Sequence, residues 1–127
     1  MSSSSFPYVL IPLMMLLVVY VTTPVDGKVT VTITNTLPGN PDLTLHCKSK
    51  DDDLGEHLLH PGNSYHFRFG VSWIGTTMFW CTFQWSGQSK YFHVYDNDRD
   101  DCNTCTWTLR EAGPCLQGKK ETCYVWR

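Results

Sequence analysis

The chain has 127 residues, with 10 Lys and Arg against 12 Asp and Glu and a formal net charge of −2. That length suits one domain and is too short for two. Nothing in the charge balance suggests the basic patch or stripe that nucleic-acid binding requires, or a polybasic footing on a membrane.

Residues 1–8 are short and Ser-rich, and residues 9–21 form an apolar run broken only by Pro12. This run falls below the ~20 residues needed to cross a bilayer as a helix. It has the length of a signal-peptide h-region. The n-region carries no Lys or Arg, only the chain's amine. Val25 and Gly27 are small enough for the −3 and −1 sites of a signal peptidase, so cleavage is expected before Lys28. Residues 1–27 are thus read as a signal peptide. Residues 28–127 are read as one mature domain, exported, monomeric and not inserted in a membrane.

The mature part opens on period-two alternation. In residues 28–36, Val29, Val31 and Ile33 alternate with Thr30, Thr32 and Thr34, the pattern of a half-buried strand. Residues 37–42 form a Pro/Gly/Asn turn. Leu43, Leu45 and Cys47 then share a face that points to the core. Residues 51–63 read as a polar link closed by Pro61 and Gly62. Tyr65, Phe67, Phe69 and Val71 line one face of the next strand. Over residues 76–85, Phe79, Cys81, Phe83 and Trp85 oppose Met78, Trp80, Thr82 and Gln84.

A hairpin link at residues 86–89 leads to a strand with Phe92 and Val94 on one side and Tyr91, His93 and Tyr95 on the other. Cys105, Trp107 and Leu109 define another strand. Residues 111–114 turn the chain, and residues 122–127 offer a last short strand. Seven or so strands with turn chemistry between them, and no sustained helical period, predict an all-β fold. The expected architecture is one small antiparallel β-sandwich. There is no internal repeat and no linker.

All six cysteines lie in the mature part: Cys47, Cys81, Cys102, Cys105, Cys115 and Cys123. An even count in a short exported chain predicts a disulfide framework with 15 open connectivities. Cys102 and Cys105 have the spacing of a redox or zinc pair. However, a strand rather than a helix follows, and no second pair completes a metal set. Asp96, Asp98 and Asp100 fall on alternate positions of a calcium loop, but Asp101 replaces its glycine and Trp107 its bidentate glutamate. Both acidic runs, residues 51–53 and 96–101, are read as solvated loops, and no metal or other cofactor is expected.

His46, His66 and His93 fall on outward strand faces, and His57 and His60 in the polar link. No nucleophile-elbow or metal-helix motif accompanies them, so no enzyme is expected. Trp73, Trp80 and Trp126 are candidates for exposed rings that stack on a sugar or anchor a partner. No glycosylation acceptor is present, and Asn103-Thr104-Cys105 is a poor one.

Three stretches carry a resemblance: HCKSKDDDLG at residues 46–55, the Phe79-Trp80-Cys81 strand, and Cys102 to Cys105 followed by Trp107. Together with their surroundings over about residues 29–113, they resemble the plant self-incompatibility proteins and their S-protein homologues. The resemblance implies a small secreted β-sheet protein in the apoplast. Its partner would be a cell-surface receptor protein, in some relatives one that triggers rejection of self pollen. A wall-carbohydrate-binding or defence and inhibitor role is the alternative. Cys47, Cys81, Cys102 and Cys105 look like the family's usual four cysteines, with Cys47–Cys105 and Cys81–Cys102 the preferred pairing. Cys115 departs from the family pattern, and a Cys115–Cys123 bridge is expected as an addition. The implied recognition loops contain Asp51, Asp52, Asp53 and Glu56 in one, and Asp96, Asp98, Arg99 and Asp100 in the other.

Overall fold

The computed structural model describes residues 27–72 and 74–127. The expected signal peptide therefore lies, apart from Gly27, outside the described residues. Nine strands follow in chain order. They are β1 (Lys28–Thr34), β2 (Leu43–Lys48), β3 (Asp53–Leu59), β4 (Ser64–Gly70), β5 (Met78–Trp85), β6 (Gln88–Asp96), β7 (Thr104–Arg110), β8 (Gly113–Leu116) and β9 (Thr122–Cys123). No helix is found among the described residues.

The strands form two facing sheets, ordered β4-β1-β7-β8-β9 and β3-β2-β5-β6. The alternation of β1 works as the sequence predicts: Val29, Val31 and Ile33 are buried while the threonines between them are only partly covered. From the other sheet Leu43, Leu45 and Cys47 of β2 and, beside them, Cys81, Phe83 and Trp85 of β5 enter the same core. Trp107 of β7 is fully buried at the centre, edge-on to Phe92. Its indole N–H would be orphaned there, and it donates to the Val94 carbonyl at 2.8 Å. Burial of one large apolar side chain contributes about 1.5–3 kcal/mol, so this cluster is the main source of stability.

Several details depart from the sequence reading. The expected link at residues 51–63 contains strand β3, paired with β2. Gly55 at φ +79° and a register shift between His46 and Lys48 interrupt its alternation, which hides the strand signal. Tyr95 is buried rather than outward. A bulge in the β5–β6 pairing puts Tyr95 opposite Phe79 and His93 opposite Trp80, which moves Tyr95 to the core face. The turn at residues 111–114 already contains the start of β8, disguised by Gly113 and Pro114. The sandwich also has one parallel pairing, β1 with β7, within its antiparallel frame.

The disulfides are Cys47–Cys81, Cys102–Cys105 and Cys115–Cys123. The pairing preferred from the resemblance, Cys47–Cys105 with Cys81–Cys102, is corrected. Cys47 and Cys81 stand directly opposite each other in one sheet, whereas Cys102 and Cys105 flank the entry to β7 in the other. The expected Cys115–Cys123 bridge is present and joins facing positions of β8 and β9.

The final residues do not extend β9 as a strand. They cross the open side between the sheets. The Tyr124 amide donates to Pro114 O and the Trp126 amide to Ala112 O, while the Arg127 amide donates to Tyr91 O on β6. Trp126 packs on Phe83 and Trp85. Residues 124–127 thus form a strap that closes the seam between β8 and β6.

Candidate recognition surface

Strand directions decide which loops meet. The β1 register puts Lys28 beside Gly70, at the β4 end, and Thr30 beside Thr104, at the β7 start. In the facing sheet Lys48 pairs with Asp53 and with Trp80, and Met78 with Asp96. The β2–β3 turn (residues 49–52), the β4–β5 loop (71–77) and the β6–β7 loop (97–103) therefore share one pole. The two acidic runs, far apart in sequence, become neighbours around the β4–β5 loop.

Each loop is tied down. Ser49 and Asp52 close the first turn, the Ser49 amide donating to Asp52 O and the Asp52 amide to Ser49 Oγ. Asp51 sits exposed at its tip. Asp53 opens β3 and binds His46 Nε2 and the Gly55 amide. The His46 hydrogen bond, chiefly, and the Gly55 amide hold its carboxyl below the ordinary value of 3.8. The β4–β5 and β6–β7 loops are joined in both directions: the Asn97 amide donates to Thr77 O, and the Thr77 amide donates to Asn97 Oδ1.

The second acidic loop divides into two roles. Asp98 and Asp101 are exposed, and Asp96 is half-buried. Asp100 is buried, with 2% of its side chain exposed. Its carboxylate accepts two bonds from Arg99, Nε at 2.8 Å and Nη2 at 2.7 Å, and a third from the Asp96 amide at 3.0 Å. The Arg99 guanidinium also donates to His93 O and lies about 5 Å from the ring centres of Phe92, Tyr124 and Trp107. Arg99 and Asp100 are thus a structural latch turned into the fold, not a presented surface. Glu56 stands exposed on edge strand β3 opposite His46, along the sheet rather than in a loop. The carboxylates left exposed in these runs are Asp51, Asp52, Asp53, Asp98 and Asp101.

The remaining candidates resolve one by one. Asp96 Oδ1 accepts the Asp98 amide while Asp100 faces Arg99, so the three alternate aspartates turn to separate tasks. Among the described residues, Cys115, Glu121 and Cys123 group metal-binding residue types, but both sulfurs are in a disulfide, so the group offers no thiolate. His46 and His60 face carboxylates, His57 a backbone carbonyl and His93 a phenol. In each of these four contacts the partner is no activated nucleophile. Burial, chiefly, and the nearby Arg127 charge lower the His93 pKa. Trp126 belongs to the core margin and Trp80 is half-buried on β5, so neither is a bare platform; Trp73 lies outside the described residues.

Two positions that the sequence reading passed over hold the opposite pole. Buried Asn35 donates through Nδ2 to Pro41 O and Leu59 O and accepts from the Leu37 amide. Thr36 Oγ1 exchanges hydrogen bonds with the backbone of Leu109. A loop Asn flanked by turn residues was the available signal for the first.

A two-sheet, disulfide-bridged scaffold with tethered loops at one pole defines the class of protein. The comparisons with known proteins agree with that class. Residues 30–126 match the family described as plant self-incompatibility protein S1. S-protein homolog 5 of Arabidopsis thaliana is 48% identical over 99 residues, spanning 76% of this chain and 77% of that one. S-protein homolog 3 from the same plant is 45% identical over 106 residues, spanning 76% and 71%. A solved self-incompatibility protein homologue matches with a TM-score of 0.57 at 19% identity, covering 79% of this chain and 95% of that chain. It is described as one of a widespread family of small, highly stable, secreted plant proteins. The chain belongs to the plant self-incompatibility protein S1 family.

Proposed function

We propose that this chain is exported to the apoplast and acts as a non-catalytic recognition ligand, read by a receptor protein on a plant cell surface. The observation that carries this reading is the convergence of Asp51–Asp53 with Asp98 and Asp101 at one pole of a bridged sandwich. Rigid scaffolds that present loops are a common basis for specific binding. Grouped carboxylates steer encounter with a basic partner face and speed association. Membership of the family and the secreted character of its solved relative support export.

The test is expression of the full chain in plant cells. The protein is expected in the medium with Lys28 at its N-terminus. Labelled, it should bind living cells, pollen included, saturably and in competition with unlabelled protein. Changing Asp51, Asp52, Asp98 and Asp101 together to Asn should weaken that binding while the fold stays intact. Absence of saturable binding overturns the reading. Binding that resists competition and is released by wall digestion would replace the receptor with a wall carbohydrate.

A further inference from the structure

Among the described residues, Ile74 is the most exposed large apolar side chain, at 89%, above Val125 and Leu58. A lone exposed apolar residue is ordinary, but the setting of this one is not. It projects from a loop held on both sides. The Ser72 amide donates to Thr77 Oγ1, the Ser72 hydroxyl bonds Ile74 O, and Gly75 turns the chain at φ +87°. Asn97 fixes the far end through Thr77, and at the near end Gly70 is paired with Lys28 of β1. Ile74 is therefore displayed in a prepared position, so little conformational freedom is lost when it is covered.

Beside it runs a cleft of about 540 Å³ between this loop and the β2–β3 turn. Phe69, Met78 and Phe79 contribute its apolar lining, and Asp51 and Asp52 share its charged lining with Lys50 and Arg68. Asp98 and Asp101 stand on the neighbouring loop beyond Asn97. One exposed apolar side chain beside a largely polar cleft, with exposed carboxylates on both flanking loops, fits the pattern in which an anchor inside a polar rim dominates affinity.

Resting on the recognition reading above, we infer that Ile74 is the anchor of the contact. Its partner is a protein surface with an apolar hollow rimmed by Lys or Arg. The hollow takes Ile74, and the basic rim meets Asp51 and Asp52 on one side and Asp98 and Asp101 on the other.

The experiment uses protein secreted from the full chain and measures competition with labelled wild type on intact plant cells. Ile74→Asp should compete at least tenfold more weakly, a loss of about 1.4 kcal/mol in binding free energy. Ile74→Leu should stay within threefold of wild type, and Val125→Asp, a change at another exposed apolar residue, on the strap, should leave competition unchanged. Unaltered near-ultraviolet dichroism in each variant separates binding from folding. Should wild type bind saturably while Ile74→Asp competes equally, the anchor falls and the recognition reading stands. Absence of saturable binding by wild type sinks both. Binding abolished by wall-glycan digestion, with Ile74→Asp still competing, overturns the protein partner.

Discussion

Arg99 and Asp100 are adjacent in sequence and adjacent in space, and the pair works only because the surroundings complete it. A buried carboxylate is costly unless every oxygen is satisfied. Asp100 meets that condition with Arg99 and the Asp96 amide. Arg99 in turn spreads its charge over three aromatic faces. Asp100→Ala would leave the guanidinium without its counter-charge against the core edge. Removing one partner of a buried pair costs about 3–5 kcal/mol. Arg99 keeps some solvent contact, so the lower end, about 3 kcal/mol, is expected. Urea unfolding should show a lower midpoint at an unchanged slope. A shift below about 0.5 kcal/mol, the range of ordinary surface changes, would contradict the latch. Composition presents Asp96 to Asp101 as one solvated run. Burial separates it into an inward pair and an outward pair, a distinction no charge count can make.

At the scale of elements, the strap over residues 124–127 depends on one glycine. A Cβ on Gly113 would lie 1.8 Å from the Tyr124 carbonyl oxygen, and its φ of +156° is itself unfavourable to other residues. Gly113→Ala should therefore push the strap off β8. Trp126 would leave Phe83 and Trp85, and its emission should move to longer wavelength. Amides of residues 124–127 should exchange faster, while those of β2 and β5 keep their protection. Normal Trp126 emission in the variant would show that the strap does not need this contact.

The strap also marks what the sequence could and could not reveal. β1, β2, β4 and β7 were legible because apolar and polar residues alternate without a break, and β5 because it is rich in aromatic residues. β3 was lost to Gly55, and β8 to Gly113 and Pro114, since each breaks the pattern for a backbone reason. Tyr95 went to the wrong face because a bulge shifts the period by one residue, and nothing in residues 91–96 signals it. The acidic loops were found by composition. Their meeting at one pole depends on long-range strand order, and Ile74 depends on a loop shape. Neither can be read from local pattern.

For the whole molecule, the placement of β1 separates two kinds of pairing. The sheet β3-β2-β5-β6 is built wholly from antiparallel neighbours within residues 43–96, fastened by Cys47–Cys81. Closing a loop of that length contributes about 4 kcal/mol in the chain-entropy picture. β1 instead sits between β4 and β7, and Thr30 meets Thr104. Distant pairings raise contact order and slow folding. Pulse-labelled exchange during refolding should therefore protect β2, β5 and β6 before β1. Simultaneous protection of β1 and β5 would refute that order.

A polypeptide leaves the ribosome amino end first. Val29, Val31 and Ile33 emerge early and wait, uncovered, until most of the chain has followed. During that interval the strand is a sticky edge seeking any partner, and a chaperone or a second nascent copy could occupy it. The first strand made must wait for β7 before both its edges are covered, so the vulnerable moment in this protein's life comes at its birth.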